Sequence, residues 1–558
     1  MSHSSKKIIL ISVISALLSA CGGGGGGGGG DAPQPKSNQQ VTPSQEVADI
    51  SCNGSTCALP ASAGASLSGS VYQYHNASTR SQMLTLSGPM TVNWKGIITQ
   101  VSADAAYSPR IAGAKATDSE SERKLQQELD AFYGKTKFWA GLAKQVPAHA
   151  RVQARIAAAR AYALDDTRQW FDTISQSQLS SRLKASQALP NGGMVYVWAQ
   201  DGVAPVSSEQ ANFLAERFAN SVHPIESAVI SEPWGPVHAD WRNGVIDSAS
   251  KDVHLVLAQL NQPASAFKGL LGYVFPANAM LKSMAQSAVC QQPGEDCSAI
   301  ANSNEALVTF INVDTLVAKD ANASAWTAQS AGASLALSTL AHEYQHILYS
   351  YNKLYRRSLG TPVSSTWEDE LAAQTMGYLV SADTYGGGRG DSSDAHPDLR
   401  SGGDFSRFLA QPACDMKAWS SRFSCYPKAL AAGMLMLHQY GAGVMKPWVT
   451  GPNTGERALN DGLAAVGGGN YGSLMQRLSS SLALAGNSPW PKGFGFPAAQ
   501  LQLASGKTIR LPQVNIAQDE VGWSKNSASE TYALDMSVAG SGLNVWLPAN
   551  ARLSLIKP

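Results

Sequence analysis

Charge is what this sequence has least of. Charged residues fill 15% of 558 positions, where about 25% is usual for soluble proteins. Neither sign is in excess: 42 Lys and Arg stand against 41 Asp and Glu, a formal net charge of +1. A nucleic-acid binder shows its basic face in such totals, so that class is excluded. Disorder throughout is excluded because 44% of the residues are hydrophobic. No apolar run beyond the N-terminus is long enough to read as a membrane span, and no internal repeat is present. Gly, Ser, Ala, Gln and Asn take the place of the missing charge, which is the surface style of an exported protein. The length predicts several domains at about 100–200 residues each.

The N-terminus points to the same compartment. Lys6 and Lys7 precede an apolar run, Ile8 to Leu18, of the length used by signal peptides and too short for a stable span. Leu18-Ser19-Ala20-Cys21 follows and resembles the bacterial lipobox, which implies that Cys21 is lipidated and opens the mature chain. Gly22 stands where an inner-membrane retention signal has an acidic residue, so the expected location is the outer membrane or the cell surface. Gly22 to Gly30 and the Pro/Ser/Gln-rich stretch behind them read as a flexible tether with a reach of about 30 Å. Of seven cysteines, the six besides Cys21 fall into three close pairs: Cys52/Cys57, Cys290/Cys297 and Cys414/Cys425. Short spacing in an oxidising compartment predicts local disulfides. None of the pairs has a companion at zinc-ribbon spacing.

Alternating apolar positions between about 50 and 115 predict short strands, as do Leu501-Gln502-Leu503 and Leu543-Asn544-Val545-Trp546-Leu547. Residues 119–133 and 149–164 read as helices. From about 166 the texture changes. Met194 to Trp198, Val253 to Leu257 and Leu307 to Ile311 predict buried strands, and Ser207-Ser208-Glu209 signals a helix start. Three long helical patterns follow.

The first of these carries His342-Glu343-Tyr344-Gln345-His346. Spacing i, i+4 puts both imidazoles on one helix face about a turn apart, within reach of one metal ion. Glu343 beside them is placed to take a proton from a water held there. Leu337, Leu340, Ile347 and Leu348 mark the helix as buried, where histidines without partners are costly. Catalytic zinc usually keeps three protein ligands, so a third is needed. No His follows at short spacing. Trp367-Glu368-Asp369-Glu370 supplies acids instead. Ser365-x-x-Glu368 fits a capping box, and Glu370 lies about 200° around the helix from Glu368, so only one can face the metal. The capping role leaves Glu370 as the expected ligand, with room after His346 for an antiparallel helix pair.

His342-Glu343-x-x-His346 with Trp367-x-x-Glu370 resembles the gluzincin metallopeptidases, and most of all the hyicolysin family of bacterial secreted neutral proteases. Phe218 to Pro224, and Asn302-Ser303-Asn304 before the Leu307 strand, are similar to stretches of that family. The resemblance covers about 166 to 490. It implies a Zn2+ cofactor, a peptide or protein substrate, and an oxyanion stabiliser. Tyr426-Pro427-Lys428-Ala429 is similar to the Tyr-x-Lys-Gly of gluzincin aminopeptidases, which gives Tyr426 that role, although Ala429 replaces the Gly. Thermolysin-like sites carry an Asp four residues beyond the ligand Glu, where this chain has Gln374. Arg389-Gly390-Asp391 and the acids Asp391, Asp394 and Asp398 read as a solvated loop, Gly386 to Asp404, at the rim of the cleft.

The expected fold class is α+β and multi-domain. Residues 1–20 are read as a lipoprotein signal peptide, 21–48 as the tether, and 49–165 as an N-terminal β-rich segment with connector helices. Residues 166–495 are read as a zincin-like domain and 496–558 as a small C-terminal β segment. The expected function is a lipid-anchored extracytoplasmic zinc metalloendopeptidase without a nucleic-acid partner. Gln374 and Ala429 motivate the alternative of a surface binding or adhesion lipoprotein on a degenerate scaffold.

Overall fold

The alternating apolar residues at the two ends of the chain close on each other. The computed structural model describes residues 45–557, apart from 65, 89–93, 101–118, 147–160, 360–365, 387, 390–395, 413, 418–421, 488, 524–530 and 537–542, and apart from the side chains of 422–424 and 531–536. The leader, Cys21 and the tether as far as residue 44 lie outside the described residues, and Val47 and Ala48, read as the end of the tether, belong to a strand instead. Most of the 149–164 helix, the capping Ser365, Gly390, Asp391 and Asp394 also lie outside the described residues.

Val47–Asp49, Val71–His75, Arg552–Ile556, Trp94–Thr99 and Thr531–Met536 form one sheet in that order. Leu543–Leu547, Gln82–Ser87, Thr56–Ala58 and Ser51–Asn53 form a second. Leu84, Leu86, Val545, Leu547, Leu553 and Leu555 meet in a shared core with Trp94. Arg552–Ile556 runs antiparallel to two N-terminal strands, with Leu553 opposite both Tyr74 and Ile98. Strands from within 47–99 and 531–556, separate in sequence, therefore interleave in one β module, whereas Ala499–Gln502 and Thr508–Leu511 pair with each other and the Glu120–Gly134 helix joins the core of the central sheet, so the segments 49–165 and 496–558 are each split. The outer face of its larger sheet is also covered, because Val71, Ile97 and Ile556 pack against Ala483, Leu484 and Phe494. A strand buried on both faces loses its polar alternation.

The central sheet has six strands in the order Gly272–Tyr273, Leu307–Asn312, Val253–Ala258, Met194–Gln200, Ser177–Ala188, Thr167–Asp172. Val253–Ala258 is parallel to both neighbours and wholly buried, as its unbroken apolar run requires. His254 within it accepts from Trp198 Nε1 at 3.1 Å and stacks on Tyr196. Burial, and then the Arg168 charge, hold its imidazole well below the usual range. The Gly272–Tyr273 strand, antiparallel to Leu307–Asn312, is the sheet edge.

Three long helices are layered from this edge outward: Ala331–Ser350 packs on it, Thr366–Tyr385 on Ala331–Ser350, and Arg422–Tyr440 on Thr366–Tyr385. Small residues set how close they come. A Cβ on Gly377 would stand 3.3 Å from the Ser338 carbonyl oxygen, and one on Gly433 would run into Thr375. Where the first helix ends, the buried Lys353 Nζ donates to the carbonyls of Trp448 (2.7 Å), Gly451 (3.2 Å) and Asn453 (2.6 Å). Disulfides join Cys52–Cys57, Cys290–Cys297 and Cys414–Cys425. The architecture is multi-domain α+β. Among the described residues no helix is long and apolar enough to cross a membrane.

Candidate active site

Ser330 caps the Ala331–Ser350 helix by accepting from the Ala333 N–H. Nearly all of its length is buried, but His342 and His346 keep partial exposure and turn to a cleft. Their rings meet edge to face at 4.9 Å, and their Nε2 atoms lie 3.2 Å apart. From the Thr366–Tyr385 helix, Glu370 brings Oε2 to 3.1 Å from His342 Nε2 and 3.8 Å from His346 Nε2. Donors bonded to one tetrahedral ion at about 2.0–2.2 Å lie about 3.3–3.6 Å from one another. The observed 3.1, 3.2 and 3.8 Å bracket that spacing, and two imidazoles with one carboxylate suit zinc chemically. Among the described residues these three form the one His/Cys/Asp/Glu group able to hold a metal ion.

Residues 175–521, more than half of the chain, match the peptidase M30 family. The chain belongs to that family, the hyicolysin family. The family is one of metallopeptidases, which implies a metal cofactor and a protein or peptide substrate. No curated relative matches the chain. The matched stretch takes in the three long helices and every strand of the central sheet after Thr167–Asp172. It leaves out the β module.

Glu368 of this M30 peptidase faces away from the cleft. Its Oε1 accepts from Trp448 Nε1 at 2.9 Å and its Oε2 from the Gly455 N–H. Burial pushes its carboxyl up while the Lys353 charge pulls it back. Asp369 was not anticipated. Its Oδ1 lies 2.9 Å from His346 Nδ1 and accepts that N–H, which turns Nε2 toward Glu370. The orienting acid expected at position 374 thus comes from the residue beside the ligand, and Gln374 only lines the cleft. Burial opposes charge on His346, but Asp369, and then Glu370 and Glu343, outweigh it and hold the imidazole up at about 10. A metal taken up there displaces that proton. Asp369→Ala should lower both zinc affinity and kcat/KM by about 10–100-fold. Chelator competition and peptide turnover measure the two, and an unchanged zinc affinity would remove the orienting role.

Glu343 is nearly enclosed. Burial pushes its carboxyl up against the pull of His342 and His346. Gly272 of the edge strand lies directly over it: a Cβ there would stand 2.9 Å from Glu343 Cγ and 2.8 Å from Thr339 Cγ2. Glycine lets the sheet edge approach this closely. The cleft encloses about 430 Å³. Tyr426 lines it, with its ring 6.0 Å from that of His342. The Cys414–Cys425 bridge and Lys428, whose Nζ donates to the Cys414 carbonyl at 2.7 Å, pin the start of the Tyr426 helix.

Two further parts of the chain wall the cleft, a helix not expected there and the 386–404 loop expected at its rim. The Glu120–Gly134 helix, N-terminal to the family match, lines the cleft with Leu125, Leu129 and Tyr133. Burial, and then the Asp369 charge, push the Tyr133 hydroxyl up. At the other end Asp398, read from sequence as a solvated loop acid, is buried and accepts from Ser338 Oγ at 3.4 Å. Burial lifts it to about 6. Arg389 is engaged by Glu520 through two bonds, at 2.7 and 3.0 Å.

Proposed function

We propose that this protein is a lipid-anchored, extracytoplasmic zinc metalloendopeptidase. The observation that carries the reading is the donor set of His342 Nε2, His346 Nε2 and Glu370 Oε2, spaced for one tetrahedral ion inside a cleft. These three would hold zinc. When bound, zinc polarises the scissile carbonyl and lowers the pKa of a water.

The chain's own residues do the rest. Asp369 holds His346 in the tautomer that presents Nε2. Glu343 takes the proton of the attacking water on its carboxylate and passes it to the departing amine nitrogen. Its raised pKa favours the first of these transfers, the uptake of the proton. The Tyr426 hydroxyl donates to the oxygen on which negative charge develops. A substrate lying along the free side of the Gly272–Tyr273 strand adds a strand to the sheet edge, which sets its scissile bond over Glu343. We take the catalytic domain as 166–495, with the interleaved termini as an accessory β module.

The anchor rests on Leu18-Ser19-Ala20-Cys21 behind a basic and then apolar leader, and on the glycine run that follows. An outer-membrane or cell-surface location follows from Gly22. Cys21→Ser should move the protein from the membrane fraction to the soluble fraction, and retention in the membrane would rule the lipid out. The endopeptidase reading is tested by mass spectrometry of casein digested by the purified full chain. Cuts at internal bonds are expected, and release of terminal residues alone would refute it.

A further inference from the structure

A second cavity lies where the β module meets the Tyr471–Ala483 helix. It encloses about 220 Å³, room for a tetrahedral oxyanion and several waters at about 30 Å³ each. Arg552, on the strand shared by the two ends of the chain, and Arg477, in the second turn of that helix, both line it, with His75, Ser473 and Gln476. Gly472 makes the approach possible, since a Cβ there would stand 2.8 Å from Arg552 Nε.

The two guanidiniums bond to neutral groups. Arg552 Nη2 donates to Asn470 Oδ1 at 3.3 Å, and Arg477 Nη1 donates to the Gly468 carbonyl at 3.3 Å and to the Tyr440 hydroxyl. Among the described residues neither forms an ion pair with a carboxylate. Glu456 acts on Arg552 from a distance and is itself bonded to Lys417. Asp49, exposed at the rim, is the one carboxylate that lines the cavity among the described residues. Two half-buried like charges are costly unless something answers them.

We propose that this cavity is an anion site that takes a doubly charged phosphate group between Arg477 and Arg552. Guanidinium forks suit tetrahedral oxyanions through paired N–H bonds. A single carboxylate would leave one of the two charges unanswered. The start of the Tyr471–Ala483 helix adds its positive end to the same cavity. The surroundings already bear the repulsion such a ligand would relieve. Burial, and then Arg477, push the Arg552 guanidinium down, against Glu456. Burial, and then Arg552, push His75 down, against its bond to Asn550. The phosphate could be free or part of a lipid headgroup, since both present the same group.

Calorimetry on the purified full chain, with inorganic phosphate replacing chloride at constant ionic strength, tests the site. Saturable one-to-one binding is expected, weakened at least about 10-fold by Arg552→Gln and by Arg477→Gln, with casein turnover unchanged in Arg552→Gln. Cosedimentation with phosphatidylcholine vesicles containing phosphatidic acid separates the sources. Arginine-dependent capture assigns a headgroup, and phosphate binding without capture assigns free phosphate. Absence of saturable phosphate binding, or affinity unchanged from that of the parent chain in both variants, overturns the proposal. Should the variants fail to fold, the NMR titration of His75 in the unsubstituted chain decides. Its pKa should rise with phosphate present, and an unmoved pKa overturns the site.

Discussion

Glu343→Gln should lower kcat/KM for peptide cleavage by about 10²–10⁴-fold, the span that a positioned acid–base group contributes. That is about 3–5 kcal/mol of transition-state stabilisation at about 1.4 kcal/mol per factor of ten. The substitution keeps the side chain's volume, so the close approach of Gly272 is undisturbed. It leaves His342, His346 and Glu370 in place, and zinc content should stay at that of the parent. Glutamine cannot shuttle the proton between water and leaving nitrogen, and that is the only function removed. Steady-state kinetics together with metal analysis read the result. A variant that retains parental turnover with full zinc would take Glu343 out of the chemistry, and one that loses its zinc would make the substitution uninformative about the base but would contradict the ligand set.

The second large effect separates two glutamates two residues apart. Glu370→Ala should abolish stoichiometric zinc binding with little change in folding stability, because Glu370 faces the cleft between the two histidines. Glu368→Ala should do the reverse. Its carboxylate accepts from Trp448 Nε1 and the Gly455 N–H, and its charge faces the buried Lys353. Burial pushes Lys353 down, and the Glu368 charge counters it. Removing one partner of a buried charge pair costs about 3–5 kcal/mol. Denaturant unfolding should register that loss while the folded fraction still binds zinc. Zinc loss in Glu368→Ala with retention in Glu370→Ala would exchange their assignments.

Much of this site can be read from local sequence. The i, i+4 histidines and the 200° offset between Glu368 and Glu370 are properties of a helix, and the helix is announced by its own apolar residues. The buried runs at Val253 and Leu307 and the Ser207 cap are equally local, and the structure places a strand or a helix start at each. What escaped was set by distant parts of the chain. Asp369 is adjacent to the ligand, but its value comes from where His346 Nδ1 lies on the neighbouring helix, which no spacing within its own helix reveals. With Asp369 there, Gln374 no longer argues for a degenerate scaffold. Asp398 looks like a loop acid until the Ser338 helix packs over it. The pairing of Arg552–Ile556 with strands more than 450 residues earlier, and the Glu120–Gly134 helix that supplies Tyr133 to the cleft, are long-range events of the same kind.

The most direct measurement is casein turnover by the purified full chain as its metal is removed and returned. The His342, His346 and Glu370 centre predicts that activity falls in proportion to bound zinc under a strong chelator, and that one equivalent of Zn2+ restores it. Turnover that persists after zinc has fallen far below one equivalent would contradict the account.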